Sequence, residues 1–238
     1  MVLSVAAARG FSGQACEQMT PNDEEYFQLC HRAGLVKEPI LDVGSARIGD
    51  QPNISALAKR AGLKAVKGAD LAKGKDVDYV ADFGLEPSEF QHQFAIPTFS
   101  TVCVFNVLEH TFDPIRVLSN ALSCVDEAGT LLVLTPSIWP IHNYPGDYNR
   151  LLPDWYREFA KRRNLQLADR LFSWISEFGI EPIVSEDSDF PTYRSRRSKA
   201  SPVRYWKSKI GHRLLNSYGR SHWATHCSIG AAFVCRPV

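Results

Sequence analysis

The sequence predicts an α/β fold, three layers built around a mainly parallel sheet, and three observations lead there. Short apolar runs closed by Gly, Asp or Asn alternate along the chain with segments of helical period, the pattern of repeated strand–helix–strand units. Three acids and an amide, Asp42, Asp70, Asp82 and Asn106, fall at or just past the ends of the predicted strands, where such sheets bind ligands. The 238 residues are 45% hydrophobic and 22% charged, the balance of an ordinary globular chain able to bury a core without disulfides or metal.

The elements follow in order. Pro21 to Gly34 reads as a helix: Asn22 or Asp23 caps it, Glu24 and Glu25 suit its first turn, Tyr26, Phe27, Leu29 and Cys30 give it an apolar side, and Gly34 stops it. Pro39 to Gly44 is a buried strand closed by a glycine. Ser55 to Ala61 is a helix, Lys64 to Ala69 a second strand ending at Asp70, Val77 to Ala81 a third ending at Asp82, and Thr98 to Phe105 a fourth. Asp113 to Val125 is a helix with Pro114 in its first turn and Ile115, Leu118, Leu122 and Val125 on one face. A turn at Gly129 leads into a fifth strand, Thr130 to Leu134. Pro153 to Arg163 is a helix, Leu165 to Phe172 a sixth strand, and Ser228 to Cys235 the last. Between those last two strands, 187–223 breaks the rhythm and reads as a long basic insertion, part loop and part short helix. The expected organisation is a helical cap over 1–35 and one ligand-binding domain over 36–238.

Composition narrows the function. No run approaches the ~20 apolar residues of a membrane span. Met1 to Ala8 is apolar but lacks the basic start of a secretory signal, and none of the six cysteines forms a C-x-x-C pair, which argues against zinc. Free thiols without an export signal point to the cytoplasm. From Phe190 onward there are ten Lys and Arg and no acid, whereas the preceding residues hold seventeen basic side chains against twenty-six acidic ones. A basic fifth on an acidic body suits an anionic partner, or is a solvated loop with no partner.

The candidate site begins at Ile40-Leu-Asp-Val-Gly-Ser-Ala-Arg-Ile-Gly49. Gly44 permits a sharp turn and close approach of a ligand to the backbone. Asp50 stands where a phosphate-binding loop needs Lys, which argues against nucleotide hydrolysis. Asp70 is placed to take both hydroxyls of a ribose, or is an exposed turn acid. Asp82 and Phe83 suit the amino group and ring of an adenine. Downstream lie Phe105-Asn-Val-Leu-Glu-His-Thr-Phe-Asp-Pro114, a helix, and Asp126-Glu-Ala-Gly-Thr-Leu-Leu-Val-Leu-Thr-Pro136.

In this combination Pro39 to Pro136 resembles the class I S-adenosylmethionine-dependent methyltransferases, in particular the large group with an L-E-H…D-P element before a glycine turn and strand. The resemblance implies a Rossmann-like three-layer sandwich with an antiparallel last strand, and S-adenosylmethionine as cofactor. It implies that Asp42, Gly44 and Ser45 line the methionine side of the cofactor, that Asp70 binds the ribose, that Asp82 and Phe83 flank the adenine, and that Asn106 and Leu108 close the site under the sulfonium. Ile141-His-Asn-Tyr-Pro-Gly-Asp-Tyr-Asn-Arg150 is similar to a loop in a subset of these enzymes. It gathers His142, Tyr144, Asp147, Tyr148 and Arg150, donors and acceptors for an oxygen-rich substrate, although Asp147 and Arg150 also suit a loop-shaping salt bridge.

Methyl transfer from a sulfonium is an in-line displacement in which the protein aligns the partners and, for a hydroxyl acceptor, removes a proton. His142 is the preferred base and His110 the second candidate. No cluster has metal-ligand spacing. Three readings follow. One is O-methylation of a small oxygenated or anionic acceptor such as a sugar or natural product. A second is methylation of RNA or another polyanion, resting on the aromatics Tyr193, Tyr205, Trp206 and Trp223 among the basic residues. The third is a non-catalytic scaffold that binds a partner protein, resting on the glycine loop Gly-Ser-Ala-Arg-Ile-Gly.

Overall fold

A computed structural model of the chain describes residues 19–46, 52–141, 146–176, 179–183 and 226–235. The insertion expected at 187–223, with His142 and Tyr144, lies outside them. The described helices are α1 (Pro21–Arg32), α2 (Ile54–Arg60), α3 (Pro87–Gln93), α4 (Pro114–Ser123) and α5 (Pro153–Arg162), with a single 3-10 turn at Leu108–His110. The strands are β1 (Ile40–Val43), β2 (Val66–Asp70), β3 (Tyr79–Val80), β4 (Phe99–Phe105), β5 (Val125–Ile138), β6 (Gln166–Leu167), β7 (Ser173–Ser176), β8 (Gly179–Pro182) and β9 (Cys227–Val234).

They form one sheet in the order β3-β2-β1-β4-β5-β9-β7-β8, with β6 also on β9. Pairings from β3 through β5 are parallel, and β9 is antiparallel to β5. From β1 the chain adds β2 and β3 on one side and β4 and β5 on the other, so the order reverses between β1 and β4. Such a switch point leaves a crevice beyond the strand ends.

Alternation along the strands sorts the core into two layers. Leu41, Val43, Val102, Val104, Leu131, Val133 and Phe233 face Phe90 of α3, Val117, Leu118 and Ala121 of α4, and Tyr156 and Phe159 of α5. Ile40, Cys103, Phe105, Leu132, Leu134 and Ala232 face Tyr26, Phe27 and Cys30 of α1 and Ile54, Leu57 and Ala58 of α2. The result is the expected three-layer sandwich, with α1 packed as part of one layer. Gly230 of β9 shows how closely α1 lies: a Cβ there would sit 2.5 Å from the Tyr26 ring. The Tyr26 hydroxyl donates to the Leu171 carbonyl at 2.9 Å.

Several expectations are corrected. Thr20 caps α1, not Asn22 or Asp23: its hydroxyl accepts from Asp23 N while Asp23 Oδ2 accepts from Thr20 N at 2.7 Å, a reciprocal capping box preceding Pro21. On α4 the buried stripe is Pro114, Val117, Leu118 and Ala121, and Ile115 is exposed. The stripe turns this way because Asn120 also points inward, donating to the Phe83 and Leu85 carbonyls at 2.9 Å each. Val125 belongs to β5, and the turn at Gly129 is an irregularity inside that strand: Phe99 pairs Val125, yet Thr101 pairs Thr130. The expected sixth strand at Leu165–Phe172 is interrupted. β6 pairs with Phe233–Val234, a turn closed by Leu171 N and Phe172 N on the Ala168 carbonyl follows, and β7 resumes along Cys227–Gly230 before hairpinning into β8.

Candidate functional site

The switch point is built from three turns. After β1, Gly44 adopts φ +84°, the left-handed region that glycine enters without strain. A Cβ at Gly44 would lie 2.4 Å from Val107 Cγ2, so the turn after β1 abuts the turn after β4. Gly44 N donates to the Ala69 carbonyl at 2.8 Å, tying the turn to β2. At the end of β2, Asp70 Oδ2 accepts from Ala46 N at 2.9 Å and Oδ1 from Ala72 N at 3.4 Å. Its carboxylate braces both turns and stays half-buried at the crevice edge.

Asp42 points toward α2, whose first backbone amide, at Ile54, donates to it. It is buried, and burial pushes its carboxyl up to about 8, with Asp70 and Asp76 adding repulsion. Asp42 Oδ2 and the buried Ser45 hydroxyl have no hydrogen-bond partner among the described residues. A cavity of about 280 Å³ adjoins Asp42, walled also by Ser55, Gly68, Asp76 and Asp78; its walls do not include Asp70, Asp82 or Asn106.

Beyond β3, Asp82 Oδ1 accepts from Gly84 N at 2.8 Å. Phe83 lies in the core, its ring 4.8 Å from that of Phe90. After β4, Asn106 takes φ +54°, its N–H bonded to the Leu134 carbonyl at 2.8 Å, and its side chain hydrogen-bonds Asp23 in the first turn of α1. Leu108 is fully buried in the layer under α3–α5. Asp23 is itself buried, which raises its carboxyl to about 6 against the lowering effect of the Thr20 and Asn106 bonds. The sequence offered Asp23 only as a cap. Nothing local in the sequence marks its reach to Asn106.

A second cluster forms where the loop before α5 crosses the 3-10 turn. Tyr148 N donates to the Glu109 carbonyl at 2.7 Å, and Asn149 Nδ2 bonds the Leu108 and Thr111 carbonyls. Arg150 grips Asp147 with two parallel bonds, Nη2 to Oδ2 at 2.6 Å and Nη1 to Oδ1. Of the two roles the sequence left open for this pair, the salt bridge is present. Tyr148 is exposed. The His110 Nδ1 bonds the Gly146 carbonyl, which assigns the proton to Nδ1, and Nε2 lies 3.7 Å from Glu109 Oε1. Glu109 is the site residue that sequence reasoning missed, although it stands inside the L-E-H element. Its side chain is 1% exposed, its Oε2 has no partner among the described residues, and burial raises its carboxyl to about 8. Arg150 lowers that value; Asp147 and Asp23 raise it.

The structure thus brings Asp42, Gly44, Ser45 and Asp70 together around the turns after β1 and β2, sets Asn106 and Leu108 across from them, and places His110, Asp147, Tyr148 and Arg150 in the adjoining cluster. Among the described residues no group of three or more His, Cys, Asp or Glu could hold a metal ion, and no helix is long and apolar enough to cross a membrane.

Neither a protein-family model nor a curated protein matches the sequence. Among solved structures, the chain is similar to the YcgJ protein of Bacillus subtilis, with 11% identity over 89% of this chain and 98% of that one, at a TM-score of 0.51. It also aligns with a SAM-dependent methyltransferase from Archaeoglobus fulgidus (15% identity, 90% and 94% covered, TM-score 0.48). A third is the Burkholderia thailandensis 1,6-didemethyltoxoflavin N1-methyltransferase bound to S-adenosylhomocysteine (10% identity, 89% and 76% covered, TM-score 0.48). At these identities likeness speaks to fold alone, and the fold is a Rossmann-like three-layer sandwich with an antiparallel last strand.

Proposed function

We propose that this chain binds S-adenosylmethionine at the β1/β4 switch point and transfers its methyl group to an oxygen of a small acceptor. The observation that supports it most is the pair of buried polar groups, Asp42 Oδ2 and Ser45 Oγ, left without partners among the described residues beside the left-handed Gly44 turn. Buried polar groups are costly unless paired. The ammonium and carboxylate of an amino-acid moiety have the chemistry to pair them, and a cation beside Asp42 would draw its raised carboxyl back toward the ionised form.

The cofactor, when bound, supplies the electrophilic methyl carbon on a sulfonium leaving group. The chain's own residues bind and orient. Asp70, fixed by the Ala46 and Ala72 amides, keeps lone pairs for the ribose hydroxyls. Asp82, with Phe83 backed by Phe90, flanks the adenine. Asn106 and Leu108 close the floor, with Asp23 holding the Asn106 side chain by a hydrogen bond. His142 is the preferred base for an acceptor hydroxyl. His110 is the second: its Nδ1–H is committed to the Gly146 carbonyl, so in the neutral ring Nε2 is the nitrogen with the lone pair. Tyr144 and Tyr148 are the acceptor contacts, on a loop shaped by the Asp147–Arg150 pair.

Transfer of a labelled methyl group from S-adenosylmethionine to a panel of phenols, sugars and sugar phosphates tests this reading. Turnover should follow a titration near neutral pH that His142→Ala removes. Turnover that is unchanged across the pH profile in both His142→Ala and His110→Ala would rule out a histidine base.

A further inference from the structure

We infer that Phe112 and Tyr148 form an aromatic corner that receives a planar, apolar ring of the methyl acceptor; this rests on the methyltransferase reading above. Phe112 is 86% exposed and Tyr148 61%, an unusual degree for large rings. Their centroids are 6.3 Å apart and their planes stand at 88°. Two walls at a right angle suit one guest shape: a flat ring that stacks on one wall presents its edge to the other, the two geometries aromatic pairs prefer.

The exposure is not the product of a loose loop. Asp113 next to Phe112 caps α4, accepting from Ile115 N at 3.1 Å and Arg116 N at 3.2 Å. Asp147 next to Tyr148 is held by Arg150, and the Tyr148 amide is bonded to the Glu109 carbonyl. Asn149 ties the two sides together, since its side chain reaches the Thr111 carbonyl, one residue before Phe112. Gly146 makes room for the Tyr148 ring: a Cβ there would stand 2.7 Å from Tyr148 Cε2. The same Gly146 accepts from His110, so the corner adjoins the cluster that contains a candidate base. The backbone is pinned on both sides while two rings face solvent, the arrangement of a preorganised binding surface.

Of the hydrogen-bonding side chains described in this loop, Asp147 and Arg150 are occupied with each other. Among the described residues of this loop, Tyr148 offers its ring and its hydroxyl outward, which favours a fused-ring or phenolic acceptor over a sugar.

The probe is 2-naphthol, titrated by calorimetry into the protein saturated with S-adenosylhomocysteine, with cyclohexanol as the non-planar comparator. The wild type should bind 2-naphthol at least ~10-fold more tightly than cyclohexanol. Phe112→Ala and Tyr148→Ala should each weaken 2-naphthol by about 5- to 10-fold, the scale of one aromatic contact. Tyr148→Phe should stay within about 2-fold, and all three should bind S-adenosylhomocysteine as the wild type does. Equal affinity of the alanine variants for 2-naphthol, or no preference over cyclohexanol, overturns the inference while leaving the cofactor site standing. Failure of the wild type to bind S-adenosylhomocysteine would instead strike the methyltransferase reading. A change in sedimentation coefficient in the alanine variants, without a change in 2-naphthol binding, would make the corner a contact between copies and overturn the inference too.

Discussion

Gly44→Ala separates two physical demands at one atom. The residue sits at φ +84°, and an alanine there costs about 1–2 kcal/mol for the left-handed backbone. The added Cβ would also stand 2.4 Å from Val107 Cγ2, well inside the ~3.5–4.0 Å of ordinary carbon contact, so the turns after β1 and β4 must part. Overpacking of this kind costs about 1–3 kcal/mol. The expected total is about 2–5 kcal/mol, read as a fall in the urea midpoint at unchanged slope. Val107→Ala removes the clash but not the backbone strain, because the new methyl carbon would stand 3.8 Å from Val107 Cβ itself, an ordinary contact. The double variant should therefore recover about 1–3 kcal/mol relative to additivity, leaving the remainder unrecovered. Gly44→Ala within about 0.5 kcal/mol of wild type would show that neither the strain nor the clash acts at this turn, and a coupling of zero that the clash does not.

Further variants address the buried ionisable groups. Glu109 carries a proton in the folded protein up to about pH 8, against an ordinary value of 4.5, so its contribution to stability is whole below about pH 4.5 and is lost as the pH rises through about 8. Asp23 and Asp42 act with the same sign, so the test is a difference: Glu109→Gln should flatten the decline in stability between about pH 5 and pH 9 by on the order of 2 kcal/mol, and parallel curves would contradict the raised carboxyl. Arg150→Ala removes the two bonds that Arg150 makes to the Asp147 carboxylate, 3% exposed, and should cost about 3–5 kcal/mol in denaturant unfolding; Arg150→Ala with Asp147→Ala should cost less than the single change. A double variant less stable than Arg150→Ala would show that the pair does not act as described.

The sheet was legible because period and punctuation agree along β1, β2, β4 and β9: apolar runs end at Gly44, Asp70, Asn106 and Cys235. α3 was missed because Pro87–Gln93 buries only Phe90, too little for a helical stripe. β7 was missed because all four of its residues are buried, so no alternation marks it, and the turn at Ala168–Phe172 that precedes it is apolar at its end. Ile115 was put on the wrong face of α4 because burial there is set by Asn120, a polar side chain drawn in by the Phe83 and Leu85 carbonyls. The site residues the sequence suggests are those that are consecutive or that close strands. Contacts joining distant segments, Asp23 to Asn106 and Glu109 to the Asp147–Arg150 pair, leave no local pattern. The polar loop at Ile141–Arg150 was recognised, but its composition did not tell which of its side chains are spent on each other and which face outward.

The most direct test is calorimetric titration with S-adenosylhomocysteine of the wild type, Asp70→Asn and Asp70→Ala, each checked for an unchanged fold because Asp70 also accepts from Ala46 N and Ala72 N. Wild-type binding should be near micromolar, about −8 kcal/mol, at least ~10-fold weaker in Asp70→Ala and intermediate in Asp70→Asn, which keeps one acceptor oxygen. No binding by the folded wild type at millimolar S-adenosylhomocysteine would contradict the proposed cofactor.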